Sequence, residues 1–213
     1  MMVYDTNKNR LYIPGGQELG VVDISQSSPQ TLGGGPIPTC QMFQVPNCIP
    51  AVAPSARSAA DPCSLTAVQT LNLATVGALP DGSRAYVGAY YVDASDNVCP
   101  QVTVIDAASN TVKSSIPIPG FPDATNPANS PDYAPACVAA TNPYRATFRF
   151  MMAAAGDSTR AYLSSCDGGN VNIIDTSTDS YIANLQAPVG TRSPIPPSLL
   201  NPPQNPVFLI AGP

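Results

Sequence analysis

Four oxygen-bearing side chains stand close together in an otherwise charge-poor sequence: Asp93, Asp96 and Asn97 in YYVDASDN, and Asp167 in CDGGN. Such groups are ligands for hard cations, and Ca²⁺ takes roughly 6–8 oxygens at one site. Four are too few, and their spacing is not that of an EF-hand loop. They are read as solvated turn residues and kept as weak metal candidates. Six cysteines, Cys40, Cys48, Cys63, Cys99, Cys137 and Cys166, offer a second chemistry. None forms a CxxC pair, so zinc ribbons, thioredoxin-like redox motifs and haem c attachment have no support. An even number without metal spacing fits disulfides and an oxidising compartment. All six are assigned to disulfides, and sequence does not choose among the possible pairings.

Histidine is absent. That removes Ser-His-Asp and Cys-His catalysis, His-ligated haem and His-containing zinc or copper sites. Ser164-Ser165 has no Lys or nucleophile elbow around it to activate a hydroxyl. Gly33-Gly34-Gly35 lacks the Lys-Ser/Thr and the following helix of a phosphate loop. No catalytic residue and no cofactor is assigned, and the expectation is a protein that is not an enzyme.

Composition narrows the partners. The net charge is −5 with a pI near 4.4, and the nine basic residues are scattered, so nucleic acid is not expected. No apolar run reaches the ~18 residues of a membrane-spanning helix, so membrane insertion is not expected either. With 25 Pro and 15 Gly among 213 residues, long helices are disfavoured. The N-terminus, MMVYDTNKNR, has no signal-peptide pattern, which conflicts with the disulfides. The expectation that reconciles them is an extracellular, cell-surface or periplasmic protein whose true N-terminus precedes this sequence.

The elements that position these residues come from internal repetition. TNKNRLYI (6–13), PDGSRAYV (80–87) and GDSTRAYL (156–163) each end a polar turn in Arg, with Tyr two residues later: Arg10/Tyr12, Arg84/Tyr86 and Arg160/Tyr162. Each is followed by an apolar run closing in Asp: LGVVDIS at Asp23, VTVIDAA at Asp106 and VNIIDTS at Asp175. An apolar segment precedes each turn, and a strand-like run follows the last two Asp residues. Every unit therefore reads as four short strands, A to D. Asp81-Gly82 suits a tight A–B hairpin and Ser109-Asn110-Thr111 the C–D turn. The chain divides into repeat 1 (1–36), a loop insertion (37–72), repeat 2 (73–120), a second insertion (121–147), repeat 3 (148–187), and a Pro-rich linker with a C-terminal strand (188–213).

The pattern "PDGSRAYV … VTVIDAASNTV … IPI" resembles the YVTN family of β-propeller repeats, which includes YncE-like bacterial surface and periplasmic proteins. The resemblance covers roughly half to three-fifths of the chain and is strongest in repeat 2. It implies an all-β fold, a β-propeller or partial propeller of four-stranded antiparallel blades. Propellers host unrelated activities, so it implies little about function.

In such a meander the A–B and C–D turns share one rim, while B–C loops and D–A crossovers share the other. Cys40, Cys48, Cys63 and Cys137 fall in crossovers, and Cys99 and Cys166 in B–C loops, so all six fall on one face. This predicts a disulfide-stapled layer of long loops presenting a surface for a protein or glycan ligand. Tyr90, Tyr91, Phe43, Phe121, Tyr133 and Tyr144 either line that surface or pack beneath the loops. The strand-end Asp residues are expected to accept backbone hydrogen bonds in the next turn. The Arg residues are expected to tie strand B to the adjacent turn. Three repeats are fewer than the ~4–8 blades of a closed ring. A larger propeller, a cryptic blade, or strand sharing between protomers would complete it, and Val207, Phe208, Leu209 and Ile210 form a strand that could close a blade or be donated to another chain. The expected function is a non-catalytic binding or structural module. The alternatives are part of a lactonase-like or quinoprotein-dehydrogenase-like propeller enzyme, and a protein that self-assembles head to tail through its open edges.

Overall fold

A computed structural model describes residues 2–15, 18–25, 30–31, 48–50, 55–63, 71–122, 150–165 and 168–186. Among these residues the chain is all strand and turn, with no helix. Blade 1 comprises β1 (Val3–Asp5), β2 (Arg10–Gly15), β3 (Glu18–Asp23), β4 (Gln30–Thr31) and β5 (Cys48–Pro50). Blade 2 comprises β6 (Asn72–Ala78), β7 (Arg84–Val92), β8 (Asn97–Asp106), β9 (Thr111–Pro117) and β10 (Phe121–Pro122). Blade 3 comprises β11 (Phe150–Ala154), β12 (Arg160–Ser165), β13 (Asn170–Asp175) and β14 (Ser180–Gln186). Each is an antiparallel meander in chain order, A to D; β4 with β5, and β9 with β10, share the strand D position along β3 and β8.

The repeats fix one register. Arg10 pairs with Asp23, Arg84 with Asp106 and Arg160 with Asp175, so the first residue of each strand B lies across from the last of strand C. Turn chemistry sets these ends. Gly82 has φ +68°, which costs glycine nothing, and its amide donates to the Leu79 carbonyl at 2.9 Å. Each strand-C Asp accepts the backbone amide two residues on: Ser25 at 2.8 Å, Ala108 at 3.0 Å and Ser177 at 2.8 Å. Asn110 (φ 58°) and Asp179 (φ 51°) then take the left-handed position that short polar side chains tolerate.

The blades pack face to face. Tyr12, Leu19 and Val21 of blade 1 meet Val76, Ala85, Val87 and Ile105 of blade 2. The other face of blade 2 sets Tyr86, Val102, Val104 and Ile116 against Phe150, Met152, Ala161, Leu163 and Ile174 of blade 3. Because blade 2 is covered on both faces, β8 is buried from Val98 through Ile105 with no polar alternation. Each such side chain removed from water contributes about 1.5–3 kcal/mol. The architecture is a partial β-propeller.

Two expectations about the loops are corrected. The B–C connection of blade 2 is a four-residue turn, Asp93–Asp96, because β7 and β8 run on in register to Val92 and Val98. Cys99 therefore sits in β8, not in a long loop. The 37–72 insertion is not loop throughout, since β5 pairs with β3 through Gly20 and Cys48. Cys40, Cys137, Cys166, Asp167 and the Val207–Ile210 segment lie outside the described residues, as does the side chain of Cys48.

Candidate functional site

Residues 55–63 of the first insertion lie over the extended end of the β7–β8 hairpin, on the rim opposite the A–B and C–D turns. Cys63 is disulfide-bonded to Cys99, a closure across 36 residues of sequence. Arg57 provides a second anchor, with a side chain only 2% exposed. Its Nη1 donates to Asp61 Oδ2 at 2.9 Å and to the Ile118 carbonyl at 2.7 Å, and Nη2 donates to the Pro100 carbonyl at 2.5 Å. The guanidinium also lies 5.5 Å from the centroid of the Tyr91 ring. A buried charge persists only when paired and hydrogen-bonded, and Arg57 is both. Asp61 completes the clamp by accepting the Cys63 amide at 3.0 Å and the Gly120 amide at 3.2 Å. The Ser55 amide donates to Gln101 Oε1 at 2.7 Å.

What this clamp exposes is small and uncharged: Ala56, Ser58, Ala59, Ala60 and Pro62, with Ala94 and Ser95 of the neighbouring turn. Tyr91 is buried beneath the loop, and Tyr90 and Phe121 pack against the core beside Phe150, at 5.3 and 6.3 Å between ring centroids. These three aromatics are packing residues; Phe43, Tyr133 and Tyr144 lie outside the described residues.

The metal candidates behave as turn residues where they are described. Asp93 is buried, and its Oδ1 accepts the amides of Ser95 and Asn97, both at 2.9 Å. Asn97 Nδ2 donates to both Asp93 oxygens at 3.3 and 3.2 Å, and to the Pro62 carbonyl at 3.2 Å. Asp96 takes a positive φ of 56° in the same turn. Among the described residues, the ligand atoms of Cys63, Asp93 and Cys99 lie within 4.8 Å of one another. The two sulfurs are bonded to each other, so no thiolate is available to a metal.

The recurring Arg and Tyr residues do something the sequence did not indicate: in two of the three blades they reach across to the following blade. Arg10 donates to the Ala107 carbonyl of blade 2, and Arg84 to the Thr176 carbonyl of blade 3. Arg84 Nη1 also meets Asp179 Oδ1 at 2.8 Å, the Tyr86 hydroxyl donates to the same oxygen at 2.6 Å, and Lys113 Nζ reaches Asp179 Oδ2 at 2.7 Å. Asp179 is thus a nearly buried carboxylate, 7% exposed, that gathers three donors of blade 2 onto blade 3. Burial first, and the adjacent carboxylate next, push the Tyr86 phenol well above its ordinary value near 10. Arg160 instead turns back onto the Thr159 carbonyl at 2.7 Å and Asp175 at 3.2 Å within its own blade. The strand-end carboxyls are held below the ordinary range by hydrogen bonds, from Ser25 for Asp23, Ser109 for Asp106 and Ser177 for Asp175.

Arg57, Asp61 and Asp179 are the residues that sequence reasoning missed. The Arg57/Asp61 spacing of four was the available signal for the clamp, and the repeat alignment of Asp179 with Asn110 the signal for the latch.

No family model matches the chain, and no curated protein matches it. Solved structures similar to it include apo AztD from Citrobacter koseri, at 10% identity over 88% of this chain and 34% of that one, TM-score 0.44. The RRP9 WD40 repeats share 12% identity over 87% of this chain and 38% of theirs, TM-score 0.42. The periplasmic gluconolactonase PpgL from Pseudomonas aeruginosa shares 9% identity over 87% and 38%, TM-score 0.39. The chain spans about a third of the length of these structures.

Proposed function

We propose that this chain is a non-catalytic binding module of the β-propeller type, working outside the cytoplasm and engaging a protein or glycan ligand through its cysteine-bearing rim. The observation that carries this reading is the clamp on that rim. A disulfide, a buried guanidinium and a buried carboxylate all hold a nine-residue loop whose outward side chains are small and exposed. A preordered loop loses little conformational entropy on binding, which favours such a segment as a contact surface. Packing of Tyr90, Tyr91 and Phe121 into the interior favours a protein ligand over a glycan, because it removes three stacking platforms from the surface. The disulfide supports a periplasmic or extracellular setting, and the repeat pattern supports a YVTN-type, YncE-like assignment.

The test is biolayer interferometry of the immobilised, non-reduced chain against purified cell-envelope and secreted proteins and a glycan panel. Any partner found is then titrated against variants of both rims. Ala59→Arg and Ser95→Arg on the cysteine rim should weaken binding at least ~10-fold, and Ala108→Arg and Ser177→Arg on the opposite rim should not. Equal loss from both rims, or turnover of a lactone panel by the same preparation, would overturn the reading.

A further inference from the structure

The two blade interfaces follow one rule, and the third blade carries its next instance unfilled. The leading blade supplies Arg and Tyr from strand B; the following blade supplies the carbonyl just after the strand-C Asp. Ala107 and Thr176 are those acceptors. Each also donates its amide back to its own A–B turn, at 3.0 Å to Ser83 and 3.3 Å to Thr159. Ile24 is the third member of the set: it follows Asp23, and its amide donates to the Asn9 carbonyl at 2.8 Å.

Blade 3 presents the leading face. Tyr12 and Tyr86 are 0% exposed in their interfaces, as are or nearly are their cross-strand partners Val21 (1%) and Val104 (0%). Tyr162 and its partner Ile173 are only half-buried. Further out on β14, Leu185 is 60% exposed and Ile182 48% exposed. Ile182 is the extra residue of a bulge at the place where blade 2 has Lys113, which reaches across to Asp179. Met151 and Ser164, at the inner corner of this face, are buried, so the open part runs from Ala153 and Tyr162 to Leu185.

Blade 1 presents the following face. Leu11 and Ile13 correspond in register to Ala85 and Val87, and to Ala161 and Leu163, all buried in their interfaces. On blade 1 they are half-buried, and Met2 and Tyr4 beside them are 61% and 48% exposed. Sizes also match. Met152 of blade 3 packs so tightly on Gly77 of blade 2 that a Cβ there would lie 2.8 Å from its Cγ. Met2 holds the register place of Met152, and small Ala153 that of Gly77.

We propose that a second copy of this chain fills the gap. Blade 1 of one chain docks on blade 3 of the other, Arg160 swings from Asp175 to the partner's Ile24 carbonyl, and Met2, Tyr4, Leu11 and Ile13 cover Tyr162, Ile173 and Leu185. The contact is heterologous between blades, yet two chains of three blades close it reciprocally into a six-bladed ring, within the ~4–8 blades that rings use. Both unfilled faces reside on one polypeptide, which is why the occupant is the chain itself. This inference is independent of the ligand-binding role.

Sedimentation velocity of the non-reduced, full chain across the micromolar range tests it, with Leu185→Asp and Tyr4→Asp as single-face variants. The wild type should sediment at twice the 22.0 kDa chain mass. Each variant should be a monomer with an unchanged circular dichroism melt, since both side chains are exposed. An equimolar mixture of the two should recover a one-to-one species through its one intact contact. A wild-type monomer, a ladder of longer open polymers, or a dimer indifferent to either substitution would overturn the proposal.

Discussion

Asp179 is where the packing of blade 3 on blade 2 is most exposed to a single substitution. Asp179→Ala leaves the Tyr86 hydroxyl, whose residue is 0% exposed, without its acceptor, at about 1–3 kcal/mol. Arg84 is 22% exposed and keeps the Thr176 carbonyl, so its loss is about 1 kcal/mol. Lys113 is 41% exposed and adds no more than about 0.5 kcal/mol. Alanine at a φ of 51° adds about 1 kcal/mol. The expected cost is therefore about 3–5 kcal/mol. Asp179→Asn should cost only about 1 kcal/mol. It retains an oxygen acceptor and tolerates the left-handed backbone, as Asn110 does at φ 58° in the corresponding turn of blade 2. Urea unfolding followed by far-ultraviolet circular dichroism and tyrosine emission reads both, the chain having nine Tyr and no Trp. Because blade arrays lose neighbour contacts stepwise, the alanine variant should also separate a blade 3 transition from the rest. An Asn variant as damaged as the Ala variant would refute the acceptor argument. An Ala variant within about 1 kcal/mol of wild type would refute the latch itself.

Three further outcomes are expected. Replacing Cys63 and Cys99 by Ser should lower stability by up to about 4 kcal/mol, from the entropy of a loop with sequence separation 36. Adding reductant to the wild type should reproduce much of that loss in the urea midpoint. Gly82→Ala should cost about 2–3 kcal/mol, because φ is +68° and the new Cβ would lie 2.6 Å from Asn7 Cβ on blade 1. Adding Asn7→Gly should recover the steric part and leave about 1 kcal/mol. The Tyr86 phenol is held above its unfolded value of 10.0, so the folded chain binds more protons than the unfolded chain above that pH. Stability should therefore be full below pH 10 and fall as pH rises beyond it, and Tyr86→Phe should flatten that limb in alkaline melts. Tyr12 and Tyr181 are shifted in the same direction and leave a residual slope.

Much of the blade is legible in the amino-acid sequence, because it rests on local chemistry. The Asp81-Gly82 pair, the αL-tolerant Asn110 and the strand-end Asp23, Asp106 and Asp175 act within a few residues of themselves, and their turns set where strands begin and end. The extended end of the β7–β8 hairpin is not legible there. Its strands are buried on two faces, so Tyr90, Tyr91, Val98 and Cys99 show no alternation that separates strand from loop.

By itself, the sequence determined three four-stranded repeats, their turns, the register that sets each Arg opposite its Asp, and the lack of histidine chemistry. It also placed Cys63 at one rim. Only the tertiary structure decided the partners: that Cys63 meets Cys99, that Arg57 is buried against the Pro100 and Ile118 carbonyls, and that Arg84, Tyr86 and Lys113 converge on Asp179. The physical reason is range. Turn geometry and strand alternation are written in neighbouring residues, whereas a hydrogen bond between positions 84 and 179 depends on how two finished sheets stack, and similar repeats leave that choice open until the blades pack.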